Sequence, residues 1–302
     1  MSIDADWLVD RRRLKRRLTA WQVAAVLAAL LAVAAVLARF GLVREHAYVV
    51  RLTISGVIVD DPDRNAAIAQ VADDTSAKAL IVRINSPGGT VVGGEALYRQ
   101  LQAVAETKPV VAVMGELATS AAYMTAIASD YVFARDGTLT GSIGVIMQTA
   151  DVTGLLERLG IKPETIKSSP LKAQPNPLET FTPEAREATR KLVADVYEMF
   201  ATMVSERRKL TPEKMKDVAD GRVFTGRQAK DLGLIDAIGG EREARVWLAN
   251  THDVALSLPI HELDISHQDD WLSELFGQVG GKALFPERLS LDGLVSVWHP
   301  SL

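Results

Sequence analysis

The chain is predicted to be an α/β protein, a mainly parallel sheet flanked by helices and preceded by one transmembrane helix. Two observations lead to this class. Short apolar, β-branched runs alternate with amphipathic stretches of helical period from residue 48 onward, the pattern of a parallel sheet covered on both faces. Ahead of them, Leu18 to Ala38 carries no charge and only Thr19 and Gln22 as polar breaks.

The N-terminal run is preceded by Arg11, Arg12, Arg13, Lys15, Arg16 and Arg17, with Trp21 near its edge. At ~1.5 Å per residue it crosses a ~30 Å hydrocarbon core, and basic flanks keep their own side cytoplasmic. The apolar region of a cleaved signal is typically ~7 to 15 residues, and the small-residue site near Ala38 is a weak one. An uncleaved anchor over residues 18–42 is therefore expected, with 1–17 cytoplasmic, 43–250 an extracytoplasmic domain and 251–302 a C-terminal extension.

Next in order, Tyr48 to Ile54 and Val57 to Val59 read as strand, Asn65 to Ala72 as helix, Ala79 to Ile84 as buried strand and Gly94 to Ala105 as helix. Val110 to Met114 follows as strand, Ser120 to Ala128 as helix, Tyr131 to Ala134 and Gly144 to Met147 as strands, and Thr153 to Leu159 as helix. Pro183 to Lys209 has the period of a long amphipathic helix, with Thr182 as N-cap and Glu184 and Glu187 in its first turn. Pro212 to Ala219 reads as another helix, Gly233 as a helix C-cap, and Asp236 as structural rather than catalytic. In the tail, Trp271, Leu272, Leu275, Phe276 and Val279 have helical spacing, for which packing on the domain is the default and a subunit contact or the membrane surface the alternatives.

Composition narrows the chemistry. The 302 residues are 48% hydrophobic and 24% charged, enough for a full core, and the mean hydropathy of +0.09 is high for a purely soluble protein. A net charge of -4 supplies no basic field for nucleic acid. Without cysteine there are no disulfides, thiolate metal sites or cysteine nucleophile. The five histidines, His46, His252, His261, His267 and His299, lack metal-ligand spacing, so no metal and no cofactor is expected. None lies between residues 47 and 251, so a serine-histidine-aspartate triad would need one from an end of the chain.

Two turns at strand ends, where α/β proteins place their sites, draw attention. Gly115-Glu-Leu-Ala-Thr-Ser-Ala-Ala-Tyr-Met124 sets Ser120 between a strand and a helix start. There a serine can cap the helix or act as a nucleophile beside N–H groups that favour negative charge. Asn85-Ser-Pro-Gly-Gly-Thr90 has a proline of fixed φ and two glycines that permit close backbone approach, which suits either a structural turn or an oxyanion hole. No Gly-Lys-Ser/Thr or G-x-G-x-x-G follows, which disfavours a phosphate loop.

Asn85 to Gly89, Ser120 ahead of Tyr123, and Thr140-Gly-Ser-Ile-Gly-Val-Ile146, in this order and spacing, resemble the protease branch of the Clp protease and crotonase superfamily. Ile166-Lys-Ser-Ser-Pro-Leu-Lys172, Phe181-Thr-Pro-Glu184 and Gly221 to Asp236 narrow the resemblance to the signal peptide peptidase A family, in its short form, over roughly residues 20 to 250. The resemblance implies a Clp protease/crotonase-like fold and a serine-lysine dyad. Ser120 matches the nucleophile, Lys172 the general base and Ser142 the group that orients the lysine. The backbone N–H groups of Gly89 and Ala121 match the oxyanion donors. It further implies apolar signal-peptide substrates, a bacterial cytoplasmic-membrane location with the catalytic domain outside, and a ring-shaped homo-oligomer in which the lysine can reach the serine of a neighbouring protomer.

A lysine base has its own physical requirement. An unperturbed amine of pKa about 10.4 is neutral in roughly one molecule per few thousand at pH 7, so the base must be desolvated. Residues 168–178 hold three prolines and no acid, which permits this, although Lys162 and Lys167 compete with Lys172 for the role. Ala121 and Ala122 stand where the family commonly has glycine, and helical φ there avoids strain. A crotonase-like acyl-CoA enzyme and a non-catalytic membrane scaffold remain the alternatives.

Overall fold

The computed structural model describes residues 3–39, 47–265 and 295–297. His46, His267, Asp269, Asp270, the apolar set Trp271 to Val279 and His299 lie outside the described residues. The chain divides into two units, Met1–His46 and Ala47–Leu302.

The first unit is a helix, α1 (Ile3–Arg39), whose stretch Lys15–Val33 is long and apolar enough to cross a membrane. The side chains described along it, Trp21, Leu27 and Leu31 among them, are exposed.

The second unit opens with β1 (Tyr48–Ile58), one bulged strand where two were expected, then α2 (Pro62–Asp73) and β2 (Ala77–Thr90). Asp61 caps α2 by accepting from Arg64 N–H at 3.0 Å. α3 (Val91–Ala105) follows, capped by Thr90, whose hydroxyl accepts from Gly93 N–H at 3.1 Å. Next come β3 (Val110–Thr119), the short α4 (Ala121–Ala126), β4 (Tyr131–Ala134) and β5 (Leu139–Gly141). After α5 (Thr153–Arg158), the long α6 (Pro183–Arg208) and α7 (Pro212–Val218), the chain returns through β6 (Val223–Thr225), α8 (Gly226–Asp231) and β7 (Ala237–Ile238). It continues into α9 (Glu241–His252), β8 (Ile260–Glu262) and β9 (Val295–Val297).

The strand order is β6-β5-β3-β2-β1-β8, with β4 also on β3, β7 on β4 and β9 on β2. Every described pairing is parallel except β5 with β6 and β2 with β9. Alternate residues of the central strands feed the two faces. Leu80, Val82, Ile84 and Met114 pack with Leu97 and Leu101 of α3 and Met124 of α4. Ile81, Val111, Val113 and Phe133 pack with Ala244 and Leu248 of α9. Each such side chain contributes about 1.5–3 kcal/mol by leaving water.

Two expectations change. Asn85 to Thr90 is not a separate turn: β2 runs through it to Thr90, with a register shift at Ser86 and φ of 105° at Gly88. Gly144 to Met147 forms no strand, and the strand here is β5. Positive φ at Gly141 (84°) and Ser142 (50°) turns the chain out of the sheet, leaving Ile146 exposed.

Gly233, with φ of 78°, follows the last residue of the α8 cap, as expected. Asp236 is structural: it accepts from Val132 N–H at 2.8 Å and holds Arg208 through both oxygens at 2.9 Å.

Candidate active site

The site begins where β3 leaves β2. The Asn85 carboxamide oxygen accepts from the N–H groups of Glu116 and Leu117, each at 3.1 Å, and so satisfies backbone that the β2 ladder no longer reaches. Gly115 lies close beside it: a Cβ there would stand 3.1 Å from that oxygen, a tight contact. On its opposite edge β3 pairs with β5, setting Ala118 opposite Thr140 and Thr119 opposite Gly141. Ser120 and Ser142 come next on the two strands.

Ser120 stands at the N-cap position of α4, yet its hydroxyl makes no capping bond. Its backbone, at φ 59° and ψ -122°, lies in a region that favours glycine, at a cost of about 1–3 kcal/mol. The conformation is imposed from both sides. Ser120 N–H donates to Gly141 carbonyl at 2.8 Å, and Ser120 carbonyl accepts from Met124 N–H at 2.9 Å to begin the helix. Ala121 and Ala122 are helical, so the strain falls on the serine and not on the alanines.

Ser120 and Ser142 line one cavity of about 450 Å³. Its other walls are largely apolar: Ile143, Val145 and Ile146 after β5, and Val193, Ala194 and Tyr197 from α6, with Arg190 and Asp220 among the polar members. The wall formed by α6 is pinned at several points. Tyr197 hydroxyl donates to Ala219 carbonyl at 2.5 Å. Arg207 donates to the carbonyls of Ile127, Ala128 and Ser129 at 2.8–3.1 Å, satisfying groups at the end of α4. Beneath, Tyr123 is fully buried and donates to Leu234 carbonyl at 2.8 Å; desolvation raises its pKa, so it stays a neutral donor.

Of the two expected oxyanion donors, Ala121 directly follows the serine and Gly89 lies near the end of β2. Thr119 hydroxyl donates to Pro87 carbonyl at 3.1 Å, tying the end of β2 to the residue before Ser120, and a Cβ on Gly94 of α3 would stand 2.9 Å from that of Ala121, so α3 and the start of α4 abut. Ala121 N–H is the first of the helix, one of the group that has no intrahelical acceptor. Gly89 admits no side chain, because a Cβ would sit 1.8 Å from Ile58 carbonyl oxygen.

Lys172 is not among the residues lining the cavity. It lies exposed in a turn, its N–H donating to Ser169 carbonyl at 3.1 Å. No residue from Gly144 to Glu184 is buried, so this whole excursion is an arm on the surface of the single chain. Lys167 is ion-paired with Glu179, which also accepts from Gln174 at 2.6 Å and is thus occupied as a structural tie. The Lys167 hydrogen bond foremost holds the Glu179 carboxyl below the usual carboxylate range. The remaining histidines within the described residues are structural, His261 stacking on Tyr48 and His252 meeting Trp247 edge-on. Sequence reasoning missed Asn85 as a brace and the arginine pair at the end of α6, for which the only signal is the basic last turn of a long helix.

A model of peptidase family S49 matches residues 102–255, and one of Clp protease matches residues 51–138. The chain belongs to peptidase family S49. This S49 chain is 37% identical to a candidate protease of Synechocystis sp. over 67% of its own length and 73% of the other. It is 33% identical to the chloroplastic serine protease SPPA of Arabidopsis thaliana, over 76% of the S49 chain and 34% of the plant protein. Against Protease 4 of Salmonella typhi the identity is 36%, over 55% and 27% of the two chains. The S49 chain thus spans about a third or less of the last two relatives. Among solved structures, a ClpP1 mutant from Listeria monocytogenes matches with a TM-score of 0.43 and 16% identity, over 64% of the S49 chain and 92% of the other. The S49 chain is a protease by family, with a Clp protease-like fold.

Proposed function

We propose that the chain is a membrane-anchored serine endopeptidase that uses a Ser120–Lys172 dyad to degrade apolar peptides, the signal peptides left after release from exported proteins. One observation supports this above the rest: Ser120 is held in a glycine-favouring conformation, its hydroxyl withheld from capping, at the wall of a largely apolar cavity. Such strain persists only where surrounding structure imposes it, and it is concentrated at reactive positions.

In this reading the lysine amine takes the Ser120 proton, Oγ attacks the scissile carbonyl, and the oxyanion is received by Gly89 and Ala121 N–H groups. Each donor is worth about 3 kcal/mol in the transition state. The lysine returns the proton to the leaving amine, and water hydrolyses the acyl-enzyme. Ser142, one residue beyond the same ladder, is the group that orients the amine.

The amine comes from a second copy of the chain. The arm carrying Lys172 exposes Leu155, Leu159, Ile161, Ile166, Leu171 and Leu178, an apolar surface that a neighbouring protomer would cover. Covering it supplies the desolvation that a lysine base requires. A ring of protomers closes such head-to-tail contacts.

Residues 18–42 serve as anchor, with 1–17 cytoplasmic and 43–250 as the protease domain on the extracytoplasmic side of a bacterial inner membrane. The test is cleavage of apolar signal-sequence peptides in detergent: the wild type cleaves, Ser120→Ala and Lys172→Ala do not. Undiminished cleavage by Ser120→Ala overturns the reading.

A further inference from the structure

The strand β9 pairs antiparallel with the end of β2, setting Val295 opposite Thr90, Ser296 opposite Gly89 and Val297 opposite Gly88. These are the residues next to the serine turn. On one side Gly89 faces Ile58 of β1. On the other, β3 pairs with β2 only as far as Ala118 opposite Ser86. The edge so opened at Gly88 to Thr90 is taken by β9, three residues from near the C-terminus.

An unpaired strand edge beside a reactive serine is a seat for an extended peptide, because main-chain hydrogen bonds hold a peptide whatever its side chains. We infer that Val295–Val297 occupies the peptide-substrate seat and shuts it, an autoinhibitory strand that a substrate must displace. The inference rests on the protease reading of Ser120. It also sets the polarity of a substrate, which runs antiparallel to β2 and proceeds N to C from Thr90 toward Gly88.

Three features favour an inhibitory strand over a structural one. Apart from the β5–β6 pair, the described sheet is parallel, and β9 breaks that pattern only here. It is three residues long, whereas the shared ladder of β1 and β2 runs from Tyr48 to Ile58. It also contacts β2 where the glycines leave the backbone without side chains, the position needed to receive a peptide.

The test is binding, so that it does not depend on turnover. Three detergent-solubilised proteins carry Ser120→Ala: one otherwise unchanged, one ending at Leu294, and one with Val295→Pro, Ser296→Pro and Val297→Pro, which cannot form the ladder. A fluorescent synthetic peptide of residues 291–302 is titrated against each by anisotropy, with thermal melts alongside. The expected result is binding at least ten-fold tighter to the truncated and proline proteins than to the unchanged one. Equal binding by all three overturns the inference, as does loss of the folded state in both altered proteins, since β9 is then structural. If the binding difference appears but the truncated chain with Ser120 intact cleaves no peptide, the protease reading fails and the seat remains.

Discussion

Ser120 and Ser142 stand one residue beyond the last paired positions of neighbouring parallel strands, both with left-handed φ (59° and 50°), and both line one cavity. The same backbone bond that closes the β3–β5 ladder, Ser120 N–H to Gly141 carbonyl, creates the strain at the serine. Removing the Cβ should release it. Ser120→Gly is expected to be more stable than Ser120→Ala by about 1 kcal/mol, a rise in Tm of about 2–4 °C. Thermal melts of the two inactive variants measure it; equal melting points would mean that the serine is unstrained.

The approach of β1 to the end of β2 sets a harder limit. Gly89→Ala drives a methyl into Ile58 carbonyl and is expected to cost more than about 3 kcal/mol, whereas Gly137→Ala, with nothing within 4 Å, should stay within about 0.5 kcal/mol. Urea titrations of the two variants compare them.

How much of this was legible in the sequence follows from what each residue reports. Strands β1 to β4 and helices α2, α3 and α6 follow from apolar period and from caps such as Thr182, because burial writes itself into neighbouring residues. The serine turn was legible from small residues after a strand. Its positive φ was not, because it falls on a serine and arises from a partner strand twenty residues on. The strand expected at Gly144 to Met147 failed because its apolar residues, Val145 and Ile146, line a cavity instead of a sheet. Lys172 was legible only by resemblance, since an exposed lysine on a proline-rich arm has no local signature.

The arm itself should respond to acid. Glu179 ties Lys167 and Gln174 together, and its folded pKa is depressed, foremost by the Lys167 hydrogen bond. A depressed carboxylate contributes stability that is complete above its unfolded pKa, about 4.3, and is lost as pH falls through the lower folded value. Acid-protease nicking of residues 160–178 should therefore increase as pH drops below about 4. Glu179→Gln should be nicked equally readily on both sides of that window. Arm cleavage independent of pH in the wild type would contradict the tie.

Pairing of serine and lysine across protomers makes a separate prediction. Ser120→Ala and Lys172→Ala, each inactive alone, should regain activity when co-expressed in one oligomer, up to about a quarter of wild type for random pairing of neighbours. No recovery in a mixed oligomer of demonstrated composition would place both groups in one chain.

The central claim, that Ser120 is the nucleophile, is tested most directly by treating the full-length protein with a fluorophosphonate and locating the adduct by peptide mass spectrometry. The account predicts one covalent phosphonate on Ser120 and none on the Ser120→Ala protein. An adduct on a different serine, or equal labelling of the variant, would contradict it.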